Sequence, residues 1–166
     1  MPIEREDETR YLRRILVENW TAVSGYGPDS GLSIHTGEPD DTSRDPQIVI
    51  DNVNETPQGE SGYAAMAGDG TGFVRQPDGT ADIRCVAGTD SDVDPHPRWL
   101  TGEFAKEVQR ILHSNWRGIP DVHTGDVEYR ALAPGSYRGP DSDPDAPGRW
   151  FAVQEVQYTY STKYNR

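Results

Sequence analysis

A chain of 166 residues fits one domain spanning 1–166, large enough to bury a core without a disulfide or metal staple. Its 28 acidic against 16 basic residues give a net charge of −12, which leaves no basic stripe for neutralising phosphates and argues against a DNA-binding domain. The single cysteine, Cys85, excludes an intramolecular disulfide and a cysteine-based zinc site.

No run approaches the roughly 18 apolar residues of a membrane span. Met1-Pro2-Ile3-Glu4-Arg5 does not read as a signal peptide, so the expectation is a protein made in the cytosol with no membrane partner. Only Lys106 and Lys163 are lysines, and Asp outnumbers Glu by 17 to 11. A GC-rich genome alone would favour Arg over Lys. Adaptation to molar salt accounts for the Arg preference and the Asp excess together, because at 1 M salt the Debye length falls to about 3 Å and self-repulsion is screened. The expectation is a halophilic protein.

The first predicted element is a helix from Glu6 to Trp20. Tyr11, Leu12, Ile15, Leu16 and Trp20 recur at three- and four-residue spacing, and Glu6, Asp7 and Glu8 fall in the first turn, where the helix dipole favours anions. Residues 28–46 read as a polar loop. A strand follows from Gln47 to Asn54, then a glycine-rich loop over 56–72, whose length suits a partner-contacting role. Phe73–Arg75 and Ala81–Ala87 flank Pro77-Asp78-Gly79, which reads as a hairpin turn.

After an acidic loop at 88–97, a second helix is expected from Trp99 to Trp116, with Leu100, Phe104, Val108, Ile111, Leu112 and Asn115 facing inward. A strand over 126–133, a Gly/Pro/Asp loop over 134–148 and a last strand over 150–161 complete the chain. In that strand Trp150, Ala152, Val156, Tyr158 and Tyr160 share a face. The fold class is therefore α+β, a mainly antiparallel sheet with two helices packed on one face and long acidic and glycine-rich loops. Residues 14–20 (RILVENW) echo residues 110–116 (RILHSNW).

Four constellations could carry chemistry. His35, His96, His113 and His123 are scattered and lack paired metal-ligand spacing, although His35 and His123 each begin a His-Thr-Gly. Aspartates alternate at 90–94 and 141–145, but Pro95 and Ala146 stand where a calcium loop needs glycine, and no glutamate closes either loop. There is no nucleophile elbow, no phosphate-cradling turn and no Cys/His pairing, so the chain does not read as an enzyme and no cofactor is expected. The C-terminal strand, with Tyr158, Tyr160 and Tyr164, offers tyrosines that serve equally for a sheet or for subunit contact.

Helix, strand, glycine-rich loop, hairpin and acidic linker lead into a second helix carrying Leu100-Thr101-Gly102-Glu103-Phe104-Ala105-Lys106-Glu107-Val108-Gln109-Arg110-Ile111-Leu112. This order resembles the tail-terminator and related head–tail completion proteins of tailed viruses. With the salt signature, it suggests a tailed virus of a halophilic archaeon. The resemblance is one of topology and carries no catalytic signature. It implies a structural virion protein at the head–tail junction, assembled in the host cytoplasm as a ring of hexameric type on the tail tube. Its partners would be further copies, the tail tube and neck proteins, with genomic DNA passing an acidic lumen without specific binding. The implied contact residues are Tyr63, Met66, Tyr158, Tyr160 and Tyr164. The 28–46 and 134–148 loops depart from the pattern, which keeps two alternatives open: an adaptor or stopper of the neck, or a monomeric metal- or ligand-binding accessory domain of a halophile.

Overall fold

A computed structural model describes residues 5–38, 46–57, 63–66, 72–75, 77–88, 96–115 and 127–165. The described elements are α1 (Arg5–Asn19), β1 (Ser33–Thr36), β2 (Gln47–Pro57), β3 (Tyr63–Met66), β4 (Gly72–Arg75), β5 (Pro77–Gly88), α2 (Pro97–Ser114), β6 (Val127–Ser142) and β7 (Arg149–Asn165). They form the expected α+β arrangement, two helices with one mixed sheet.

Both helices form where apolar spacing predicts them. Leu12, Ile15 and Leu16 of α1 are buried, as are Leu100, Phe104, Val108, Ile111 and Leu112 of α2. Pro97 opens α2 at a position that needs no backbone donor, and the His96 ring nitrogen Nδ1 accepts the Arg98 N–H at 3.1 Å. The echoed segments turn out to be the two helix ends. Asn19 donates to the Ile15 carbonyl and Asn115 to the Ile111 carbonyl, each at 2.8 Å, and an Ile-Leu pair is buried just before each asparagine.

The two helix ends are also tied together. Arg110 of α2 donates to the Asn19 carbonyl at 2.6 Å, capping α1, while Glu107 accepts the Thr21 N–H at 2.9 Å and pairs with Arg110. Trp20 and Tyr26 close over Phe104, with ring centroids 5.9 and 6.2 Å away.

The helices share one core with one face of the sheet. Ile34, Ile48, Ile50, Ile83, Cys85, Ala152, Val156 and Tyr158 join Leu12, Leu16, Phe104 and Ile111 in it. Across the other face, Arg84 pairs with Asp51 at 2.8 Å. Burial raises the Asp51 carboxyl above its ordinary value, and Arg84 pulls against that rise.

The stretch 56–72, expected as a loop too rich in glycine for regular structure, contains the four-residue strand β3 (Tyr63–Met66). Three further sequence expectations change. First, the 28–46 loop contains β1, which runs parallel to β2 with Ile34 opposite Ile48. Second, Phe73–Arg75 and Ala81–Ala87 do not form a hairpin with each other. β4 and β5 are collinear and both pair antiparallel with β7 in one unbroken register, from Gly72 opposite Asn165 to Gly88 opposite Arg149. Pro77-Asp78-Gly79 therefore continues the strand, with Pro57-Thr56-Glu55 of β2 on its other side. Gly79 is needed for a different reason: the Tyr158 ring lies where a Cβ would project.

Third, β6 runs on to Ser142 through most of the expected 134–148 loop. Register shifts against β7 at Pro134/Tyr137 and Arg138/Asp141 absorb the prolines and glycines, as suits an edge strand. At Gly139, φ is +100° and the Phe151 carbonyl would lie 2.8 Å from a Cβ, so only glycine fits. The buried Gln154 amide pins this irregular stretch. It donates to the Gly135 and Glu155 carbonyls at 3.2 and 2.8 Å and accepts from Gln109 of α2 at 2.7 Å.

Candidate interaction surface

Most of the residues expected at a subunit contact converge at one end of the sheet. β3 pairs with β4, and β4 with the last residues of β7. In this register Met66, Phe73 and Tyr164 form one row across three strands, and Tyr63, Arg75 and Thr162 form another two rows along, with Val127 of β6 continuing it. Tyr160 stands opposite Tyr129 of β6. Segments about a hundred residues apart in sequence thus meet at a single sheet end.

The helices pack elsewhere. α1 lies on β1 and β2, and α2 on β5, β6 and β7, with no comparable packing of either on β3 or β4. β3 is also the last strand in its direction, pairing among the described residues with β4 alone. Such an edge is a template for a further strand. By contrast β1, although an edge, is blunted: Arg13 of α1 donates to the Ile34 carbonyl at 2.6 Å.

Tyr158 does not belong with the others. It is 4% exposed, sits in the core and packs on Gly79, so this member of the expected contact set serves the fold. The even-numbered residues of β7 that grouped it with Tyr160 are buried from Ala152 to Tyr158, with Gln154 as the polar member, and Val153 between them is buried as well.

The other constellations separate. His35 lies on β1, where its ring nitrogens meet the Ser33 hydroxyl at 3.1 Å and the Glu38 carbonyl at 3.3 Å. His96 caps α2, His113 sits in its last turn, and His123 lies outside the described residues. Among the described residues no three His, Cys, Asp or Glu side chains gather in a way that could hold a metal ion. Of the two aspartate runs, 90–94 lies outside the described residues. In the other, Asp143 accepts the Asp145 N–H at 2.9 Å and faces Arg149 at 3.9 Å, so the alternation builds a turn. Cys85 is fully buried in the core, and burial pushes its thiol well up. No helix among the described residues is long and apolar enough to cross a membrane.

Sequence reasoning missed one surface. Trp99 and Tyr137 are exposed, and both line a cleft between α2 and β6. Trp99 follows the N-terminal turn of α2 outside its apolar stripe, which was the available signal. Tyr137 had none, because its strand was hidden under prolines and glycines. No protein-family model matches the chain, and no curated protein matches it in sequence.

Proposed function

We propose that the chain is a structural protein of a tailed virus, a tail terminator at the head–tail junction, whose copies meet through the β3–β4–β7 end of the sheet to close a ring on the tail tube. One observation carries the subunit contact. Tyr63–Met66 and Tyr160–Asn165 come together through β4, away from the main packing of both helices among the described residues, and β3 ends the sheet there. The virion role rests on the resemblance of the element order read from the sequence to head–tail completion proteins, an order in which the expected hairpin is replaced by β4 and β5 collinear along β7.

On this reading the mechanism is geometric. An edge strand of one copy meets its neighbour, and repetition of that heterologous contact closes the ring. A net charge of −12 keeps the lumen acidic, so DNA passes without sticking. The test is the mass of the purified chain in about 3 M KCl by light scattering, with electron microscopy of the same sample. Rings of about six copies are expected, and truncation after Thr159 should abolish them while leaving Tyr158 in the core. Intact rings after that truncation would remove the distal sheet end as the contact. A monomer that also fails to assemble on tail tubes would overturn the ring itself.

A further inference from the structure

Among the described residues, Trp99 and Tyr137 are the large apolar side chains left most open, at 51% and 42% exposure. They come from different elements, α2 and β6, yet line one cleft of about 620 Å3 whose floor includes Gly102 and Pro140. The missing side chain at Gly102 lets Pro140 close in: a Cβ there would lie 3.4 Å from the proline ring.

Two cations border the aromatic floor. Arg98 reaches back over the Trp150 ring, 5.5 Å from its centroid, and Lys106 pairs with Glu103 at 2.9 Å while its side chain stays 72% exposed. Exposed indole and phenol rings beside cations suit a proline-bearing segment that also presents a carboxylate.

The chain itself contains such a segment. The turn between β6 and β7 reads Asp143-Pro144-Asp145-Ala146-Pro147-Gly148, with Pro144, Asp145 and Pro147 exposed. It is held in shape by bonds from Asp143 N–H to the Arg149 carbonyl, from Arg149 N–H to the Ala146 carbonyl, and from Asp145 N–H to the Asp143 carboxylate, all at 2.9–3.0 Å. A preorganised tip loses little entropy on docking. Charge selects the partner. The exposed Asp145 carboxylate is complementary to the cleft, where Arg98 and Lys106 outnumber the single acid Glu103.

We infer that the Pro144–Pro147 tip of one copy docks in the Trp99–Tyr137 cleft of a second copy. Its prolines lie against the two rings, and the Asp145 carboxylate sits between Arg98 and Lys106. This contact is separate from the β3 edge and does not depend on the viral reading.

Disulfide trapping tests it in the full chain, since the buried Cys85 thiol stays silent in the native protein. A mixture of D145C and K106C chains under mild oxidation should form the mixed disulfide at several times the yield of D145C mixed with E18C, which places its thiol on exposed α1. Equal yields would overturn the inference. Charge reversal gives a second reading by light scattering over about 0.2–3 M KCl. D145R and K106E should each weaken self-association roughly tenfold, and mixing the two should restore it. Unchanged association in both variants, loss without rescue on mixing, or a native chain that stays monomeric throughout would each sink it. Truncation after Thr159 leaves the tip and the cleft intact, so loss of rings in that variant with trapping retained would separate this contact from the ring contact.

Discussion

The sheet has two halves built from the same long strands. β7 runs through both: its residues 152–158 lie in the core beneath α2, and 159–165 extend past it to pair with β4 and the start of β6. The run from Gly72 to Gly88 crosses the same boundary without a change of register. One half packs against the helices, and in the other the described elements are joined by strand pairing in a register continuous with the first. The difference teaches that a helix-packed region can present a distal one in fixed register, as the proposed subunit contact needs. It predicts that stability and assembly respond to different substitutions.

The strongest way to break the comparison is at the packed end. Phe104 is fully buried and carries the contacts of Trp20 and Tyr26. Phe104→Ala should cost about 3–5 kcal/mol in chemical denaturation at fixed salt. A loss of less than about 1 kcal/mol would mean that the helices contribute little to holding the sheet.

At the boundary, Gly79→Ala should cost about 1–3 kcal/mol, because the new methyl group and the Tyr158 ring cannot occupy one place. If Gly79 served a turn instead, Tyr158→Ala would leave that penalty unchanged. On the ring-packing account, the alanine at 79 becomes tolerated once the ring is gone, and a double-mutant cycle reads the difference.

Alkaline pH probes the packed half through its lone thiol. Burial raises the Cys85 thiol above its ordinary value of 9.0, so the folded chain keeps a proton that the unfolded chain releases. The protons bound by the unfolded state are then fewer, and stability is lost as pH rises above about 9, by about 1.4 kcal/mol per pH unit. The Tyr137 hydroxyl, raised chiefly by burial, acts in the same sense above its own ordinary value of 10.0. Denaturation midpoints of the native chain and Cys85→Ala, followed from pH 8 to about pH 11, should diverge with the alanine variant flatter. Parallel curves would show that the thiol is solvated.

The packed half was largely legible in the sequence, because helical periodicity over fifteen or more residues is a strong signal. Both helices, their buried faces and the alternation of β7 could be read directly. β1 was not, since Leu32 and Ile34 supply only two inward positions. Pro77-Asp78-Gly79 has the composition of a turn, yet β7 and β2 flank it on both sides, and long-range pairing overrode the local preference. In β6 the prolines and glycines that suggested a loop fall at register shifts on an edge strand, where a missing donor costs nothing. Tyr63, Met66 and Tyr164 could be proposed as contacts from residue type, but their convergence depends on β4 pairing with β7. Tyr158 belonged to the same tyrosine series and went to the core, because its register partner is the glycine that makes room for it.

The smallest effect on stability separates the two halves most cleanly. Tyr164 lies opposite Phe73, which pairs with Met66, in the part of the sheet away from the main helix packing among the described residues. If that end is held by pairing alone, Tyr164→Ala should shift the unfolding free energy by under about 0.5 kcal/mol, the scale of a substitution outside a packed core. The same substitution should abolish ring assembly, because large tyrosine surface at the centre of a contact carries a disproportionate share of binding. Two other outcomes would overturn that expectation. A destabilisation of several kcal/mol would mean that the distal end has a core of its own, so the surface would be fold and not interface. A silent Tyr164→Ala in both assays would move the contact off this row of residues and onto the β3 edge backbone, where side-chain truncation has no grip.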